Sequence, residues 1–205
     1  YCIFNDKQDM LKCLLDLGDF DFDLEYNNKT LVSLAFEREN IEILKLILSN
    51  QNIDINQECN NKTALLLAIE KENIEIIKLL LSYPNIDINK VSWKIYKTAL
   101  ILAIEKENVE IIKLLLSNPK ININQKCNQD SALILAVEKE NIEILKLLLS
   151  NPNIDINQSK RYEEYDQIKR IRYFWYKTAL SIAIEKENIE MIKLLLSCKN
   201  IDINK

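Results

Sequence analysis

The residues with the most chemistry to offer lie between Ser159 and Tyr176, where Lys160, Arg161, Lys169, Arg170 and Arg172 stand among Tyr162, Tyr165, Tyr173, Phe174, Trp175 and Tyr176. Set against Glu163, Glu164 and Asp166, these cations leave a local excess of +2. Cationic groups beside aromatic faces bind anions and stack on rings, so the segment has the composition to hold an acidic peptide, RNA or an anionic membrane surface. The same residues also suit an expanded loop, partly helical from Glu163 to Arg172, that packs its aromatics onto its own protein. For Phe174 and Trp175 that second reading is preferred. A smaller concentration, Lys90 to Tyr96, sets Trp93 beside Ile95 and Tyr96. Rigid aromatics desolvate at low entropic cost, so Trp93 suits a binding hot spot, and it equally suits a cover for the protein's own apolar edge.

Outside these segments the chain is poor in reactive groups. It has 205 residues, no histidine and one glycine, Gly18. Without histidine it lacks the commonest general base, metal ligand and physiological pH switch. A single glycine excludes the phosphate loop, the dinucleotide fingerprint and the nucleophile elbow, all of which need several. Cys2, Cys13, Cys59, Cys127 and Cys198 are odd in number and nowhere spaced as a C-x-x-C pair, so neither a disulfide framework nor a zinc site is suggested. Asp54, Asp87, Asp155 and Asp202 stand too far apart along the chain to share a cation. An enzyme is not expected, nor a cofactor, nor a metal. A net charge of -4 disfavours nucleic acid as the default ligand.

The acceptor triplets at Asn28, Asn61 and Asn157 match N-glycosylation, but Thr30 and Thr63 fit helix caps better, and the cysteines point to the cytoplasm or the nucleus. Lys71-Glu72-Asn73 and its copies resemble a degradation tripeptide, yet such signals are read from extended chain and these fall at helix turns. No apolar run approaches the ~20 residues of a membrane span.

The elements that position these residues are repeats. An anchoring hydroxyl recurs at Thr30, Thr63, Thr98, Ser131 and Thr178, at spacings of 33, 35, 33 and 47 residues. Extra residues fall before Thr98 and, at greater length, before Thr178. In each unit the hydroxyl predicts the cap of a short helix of almost wholly apolar residues, such as Ala64 to Ile69. A polar turn follows, Glu70-Lys71-Glu72-Asn73, in which Asn is the natural left-handed residue. A second helix, about Ile74 to Ser82, pairs Glu75 with Lys78, a pattern repeated at Glu42/Lys45, Glu110/Lys113, Glu143/Lys146 and Glu190/Lys193. Pro84, Pro119 and Pro152 stop that helix in three units. The recurring Asn56, Asn89, Asn124, Asn157 and Asn204 are expected to form a ladder satisfying loop backbone groups between neighbours.

These residues resemble the ankyrin repeat. Its usual opening Thr-Pro-Leu-His, second-helix run Glu-Val-Val-Lys-Leu-Leu-Leu and closing Asp-Val-Asn correspond to Thr63-Ala64-Leu65-Leu66, Glu75-Ile76-Ile77-Lys78-Leu79-Leu80-Leu81 and Asp87-Ile88-Asn89. The proline and histidine positions are apolar or Ser here, and the glycine between the helices becomes Glu39, Glu72, Glu107, Glu140 or Glu187, so that the left-handed conformation either moves to the adjacent Asn or is borne with strain. The resemblance implies an all-α solenoid of stacked helix-turn-helix units with projecting loops or β-hairpin fingers. It divides the chain into a truncated half repeat over 1–26 and repeats over 27–60, 61–96, 97–129, 130–176 (with its insertion at 159–176) and 177–205. Both ends look cut from a longer array.

The resemblance also implies the function: a non-catalytic scaffold that binds a protein or peptide partner through its fingers and concave helix face. The expected contact residues are Trp93, Ile95, Tyr96, Arg161, Tyr162, Tyr165, Arg170, Arg172, Tyr173 and Trp175. The first alternative is a rigid spacer or regulatory arm of a larger protein, and the second is RNA or anionic-lipid binding through the insertion. The chain is expected to be monomeric. The near-uniform pairs Glu70/Lys71, Glu105/Lys106, Glu138/Lys139 and Glu185/Lys186 are self-compensating and read most simply as solvated helix ends.

Overall fold

The repeats that begin at Thr63, Thr98, Ser131 and Thr178 turn their sequence pattern into a helical hairpin by capping both helices from their own side chains. The computed structural model describes residues 31–37, 40–49, 53–58, 61–92, 94–166 and 169–204. The expected half repeat, Thr30 and Trp93 lie outside the described residues. The helices are α1 (Leu31–Glu37), α2 (Ile41–Leu48), α3 (Ala64–Glu70), α4 (Ile74–Leu81), α5 (Ala99–Glu105), α6 (Val109–Leu116), α7 (Ala132–Glu138), α8 (Ile142–Leu149), α9 (Ala179–Glu185) and α10 (Ile189–Leu196). Among the described residues one antiparallel pair, β1 (Ser159–Asp166) and β2 (Ile171–Thr178), stands between α8 and α9.

Helices of seven or eight residues are far below the length that holds in water alone, so their ends and their packing decide their stability. Thr63 Oγ1 accepts from the Leu66 amide at 3.3 Å, and Thr98, Ser131 and Thr178 cap α5, α7 and α9 in the same way. At the far end of α3, the Asn73 amide donates to the Ala68 carbonyl and the Glu72 amide to the Ile69 carbonyl, both at 3.0 Å. This is the Schellman arrangement, which needs a left-handed residue after the C-cap. Here that residue is glutamate: φ is 55° at Glu72 and Glu107 and 56° at Glu140 and Glu187. The expectation that asparagine would take the left-handed position is therefore corrected. Asn73 has φ -82° and caps the next helix, its Oδ1 accepting from Ile76 at 3.0 Å. Asn40, Asn108, Asn141 and Asn188 do likewise.

The chain divides into two compact units, Tyr1–Ile95 and Tyr96–Lys205. In the first, α1 packs on α2, α3 on α4, and α1 on α3. Phe36, Ile43, Leu44, Ile47, Leu66 and Ile76 are buried completely or nearly so between them. In the second, three hairpins lie side by side, with α7 against both α5 and α9 and α8 against both α6 and α10. Leu133, Ile134, Val137, Leu145 and Ile156 form one apolar cluster with Leu180, Ile182, Met191 and Leu195 of the following hairpin.

The loops are joined by the expected asparagine ladder. Asn56 Nδ2 donates to the Asn85 carbonyl at 2.8 Å and its Oδ1 accepts from the Asp87 amide at 2.8 Å. Asn124 bridges to Asn153 and Asp155 in the same way, and Asn157 to Asn200 and Asp202. The helix-surface ion pairs depart from expectation in the second unit. Glu42 and Lys45 pair within α2 at 3.1 Å, but Lys113 reaches Glu143 at 3.7 Å and Lys146 reaches Glu190 at 2.9 Å, both on the following hairpin. Side-by-side helices bring those opposite charges within the reach of a long lysine.

Candidate interaction surface

Two fingers of the second unit show how the insertion changes the surface. The ordinary finger is a bridge between Cys127 and Asp130, with φ of 51° at Asn128 and 78° at Gln129, the signature of a two-residue turn. The long finger extends the same idea to eight paired residues on each strand, from Ser159 opposite Thr178 to Asp166 opposite Ile171. The partly helical segment expected from Glu163 to Arg172 is thus a β-hairpin. Tyr, Phe, Trp and Ile alternate well across a pleated ribbon, and their strand preference outweighs the helical one of the charged residues between them.

Side chains directly opposite each other share a face, so the hairpin has two different sides. On one side lie Lys160, Tyr162, Glu164, Tyr173, Trp175 and Lys177. Its base is anchored. Tyr162 donates its hydroxyl to Glu138 Oε1 at 2.6 Å, and Lys160 reaches Glu138 at 2.8 Å and Asp130 at 2.5 Å. Trp175 stacks on Tyr162 with ring centroids 6.1 Å apart, and the ammonium groups of Lys160 and Lys177 lie 5.4 and 5.1 Å from the Tyr162 ring. Burial, reinforced by the Glu138 carboxylate, holds the Tyr162 phenol well above its ordinary ionisation range. Burial also opposes the charge on Lys160, but hydrogen bonds and attraction from Asp130 and Glu138 outweigh it and raise its pKa.

The opposite side carries Arg161, Glu163, Tyr165, Arg172, Phe174 and Tyr176, all exposed. Arg161 lies 4.8 Å from the Phe174 ring centroid and 3.8 Å from Glu163. Phe174 therefore does not pack onto the repeats as expected; it is half exposed beneath a guanidinium. Trp175, on the anchored side, is 36% exposed and stacks on Tyr162 of the hairpin itself. At the tip, Arg170 has φ 53° and Lys169 lies 6.0 Å from Tyr173.

The expected contact residues are thus divided. Arg161, Tyr165 and Arg172 share the open side, Tyr162, Tyr173 and Trp175 the anchored side, and Arg170 the tip. Trp93 lies outside the described residues, Ile95 is half-buried, and Tyr96 is exposed with φ 49°. Sequence reasoning missed Phe174 and Tyr176 as members of the open side, and Glu138 and Asp130 as the anchors. The run of residues with strand preference from Tyr173 to Tyr176 carried the first signal; the second depends on a contact between residues far apart in sequence.

The helix-end charges are largely consumed by the protein itself. Lys62 pairs with Glu70 at 2.6 Å, Lys97 with Glu105 at 2.5 Å and Lys177 with Glu185 at 2.6 Å. Position 130 carries Asp where the other units carry Lys, and Lys160 of the hairpin supplies the missing cation to Glu138. Between hairpins, Lys139 and Asn141 donate to Glu107, and Lys186 and Asn188 to Glu140. Among the described residues no helix is long and apolar enough to cross a membrane, and no group of three potential metal ligands is found.

Stacked helical hairpins joined by finger loops define a repeat protein. The family models for ankyrin repeats match residues 1–92, 93–160 and 175–205, and the chain belongs to the ankyrin repeat family. Comparison with curated proteins gives no sequence match. Among solved structures, the fold is similar to the ankyrin repeat domain of Bcl-3, a member of the IkappaB protein family, at TM-score 0.75 and 22% identity over 95% of this chain and 79% of that one. It is also similar to the ankyrin repeat protein EF0377, at TM-score 0.71 and 24% identity over 96% of this chain and 94% of that one. An ankyrin repeat domain from Acinetobacter baumannii AYE gives TM-score 0.69 and 23% identity over 95% and 94%. At these identities the likeness concerns the fold. Ankyrin repeats are in general protein–protein interaction modules, and the family is generally non-catalytic.

Proposed function

We propose that the chain is a non-catalytic scaffold that binds a protein or peptide chiefly through the open side of the hairpin at 159–178. The observation that carries this reading is the hairpin's two-sidedness. One side is anchored at its base to Glu138 and Asp130 and exposed beyond it at Tyr173, while Arg161, Tyr165, Arg172, Phe174 and Tyr176 stand exposed along the whole of the other. Arginine and large aromatics dominate binding hot spots because they desolvate much area with few rotamers to freeze. The free thiols of Cys127 and Cys198 suit a reducing compartment, the cytoplasm or the nucleus.

The test is selection of peptides from an unbiased display library against the chain. Selected peptides should lose binding when Arg161, Arg172 and Phe174 are replaced together by Ala, and when the hairpin is exchanged for the short turn at 127–130. Peptides that bind both variants unchanged, or a library yielding none, would defeat the reading. Salt-sensitive binding of RNA or anionic vesicles to the same side, without peptide binding, would replace it with the alternative ligand class.

A further inference from the structure

The unequal lengths of two fingers joined at their bases leave strand edges of the longer one uncovered. The finger at Cys127 and Asp130 pairs one residue on each side, whereas β1 and β2 pair eight. Lys126 of the shorter finger donates to the Ser159 carbonyl, and Asp130 pairs with Lys160, so these contacts reach only the base of β1. Ile171 to Tyr176 project beyond the length of an ordinary finger. Each strand of a two-stranded ribbon turns the amides and carbonyls of alternate residues away from its partner. Among the described residues no backbone hydrogen bond joins Arg172 to Tyr176 to any segment but β1.

The two edges differ in chemistry. Natural edge strands are guarded against a further strand by charges, proline, bulges or shortness. β1 carries Glu163, Glu164 and Asp166. β2 runs Tyr173-Phe174-Trp175-Tyr176 without a charge, proline or glycine, and its register against β1 advances one residue for one throughout, so no bulge interrupts it. These aromatics are side chains that favour a strand. At the tip end of β2, cations are left over. Lys160 is held by Asp130 and Glu138, Arg161 lies 3.8 Å from Glu163, and Lys169 lies 3.8 Å from Asp166. Arg170 and Arg172 are exposed and meet no carboxylate among the described residues.

We propose that the edge of β2 from Ile171 to Tyr176 takes up an extended segment of a partner protein as a third, antiparallel strand, in which β-branched or aromatic residues are followed by acidic ones. The inference rests on the peptide-binding reading of the hairpin and specifies how the peptide is held. Main-chain bonds to a sheet edge supply affinity, and alternate side chains supply specificity. Antiparallel to β2, the C-terminal end of the segment lies by the tip. A carboxylate there falls opposite Arg172, and a second one two residues further on falls beside Arg170. The residues before them fall opposite Tyr173 to Tyr176, and those opposite Phe174 and Tyr176 continue the open side. A second copy of this chain does not supply that pattern, because its β2 brings Arg172 and Lys177 and no acid.

The test uses the full 205-residue chain and the fluorescent peptide Val-Thr-Val-Thr-Glu-Thr-Glu, read by anisotropy. Saturable binding is expected, weakened roughly tenfold or more by Arg172→Glu and restored in that variant when both peptide glutamates are lysine. An unchanged circular dichroism spectrum verifies the fold of the variant. Two further peptides carry N-methyl groups on one or the other set of alternate amides. A third strand turns one set toward β2 and the other away, so one peptide should lose roughly tenfold or more in affinity while the other stays within about threefold. Hydrogen exchange at alternate amides of Arg172 to Tyr176 should slow when the unmethylated peptide is bound. Equal effects of the two methylated peptides overturn strand addition. So does failure of the designed peptide while library peptides bind through Arg161, Arg172 and Phe174, an outcome that leaves the open-side reading standing. If no peptide of either kind binds, both fall. A concentration-dependent dimer of the chain alone, dissolved by the peptide, also overturns the proposal, because the occupant is then a second copy.

Discussion

Lys139 and Glu107 meet at 3.1 Å across two neighbouring hairpins, and Glu107 makes the contact from a left-handed backbone, φ 55°, that favours glycine. The pairing gives a reason for a glutamate where the family pattern has glycine. Glycine would relieve the backbone but leave Lys139 and Asn141 without their shared acceptor. Both contacts are exposed, and exposed ion pairs are weak and screened by salt.

Replacing Glu107 by Gly should therefore raise the thermal unfolding midpoint by roughly 2–4 °C at high salt, where the ion pair is screened. The gain should shrink at low salt. Glu107→Ala keeps the left-handed strain and loses the acceptor, so its midpoint should fall at every salt concentration. Calorimetry across a salt series distinguishes the two substitutions.

The same carboxylates set an acid response. Hydrogen bonds from Asn141 and Lys139 hold the Glu107 pKa below its ordinary 4.5, and those from Lys186 and Asn188 do so for Glu140. A pKa lowered on folding means that the unfolded chain takes up the proton first. The contribution is present above the unfolded value and is lost as pH falls through the folded one. Denaturant midpoints of a Glu107→Gln, Glu140→Gln protein should fall less steeply below pH 4.5 than those of the parent.

Tyr162 responds at the other end of the scale. Its phenol is held above the ordinary 10.0, by burial first and by Glu138 second, so its contribution is present below that value and is lost at higher pH. Alkaline absorbance titration of the parent should show a late-ionising phenol that Tyr162→Phe removes. That variant should also lose about 1 kcal/mol, the net value of a partly exposed hydrogen bond to a charged acceptor. Phe174→Ala, on the exposed side, should leave stability within about 0.5 kcal/mol of the parent.

The ladder and the core carry different loads. Asn157→Ala breaks the bonds to Asn200 and Asp202 and should cost about 1–2 kcal/mol, with faster hydrogen exchange at the Asp202 amide. Leu145→Ala, at a fully buried position shared with the following hairpin, should cost about 2–5 kcal/mol in urea unfolding.

The period, caps and ladder were legible because each depends on a few residues at fixed offsets. Thr63 acts within one turn and Asn124 at the reach of one repeat, where a one-dimensional pattern records them. The exchange of roles between Glu72 and Asn73 was not legible. Both residues tolerate the turn, and the choice rests on Asn73 capping α4 while glutamates at this position meet donors from the next hairpin, as Glu107 and Glu140 do. The hairpin at 159–178 was misjudged in part for a related reason. Its charged residues suit a helix, and the anchoring of Tyr162 and Lys160 on Glu138, more than twenty residues away, has no local signature.

Because Glu107 and Glu140 accept the same pair of donors, and Asn124 and Asn157 bridge the same pair of groups, the junctions inside the second unit are interchangeable. These polar contacts therefore do little to set the order of its hairpins, which covalent connectivity fixes. An array of that kind can gain or lose a whole module by recombination without inventing a new seam, and during folding it must avoid threading a hairpin into its neighbour's place.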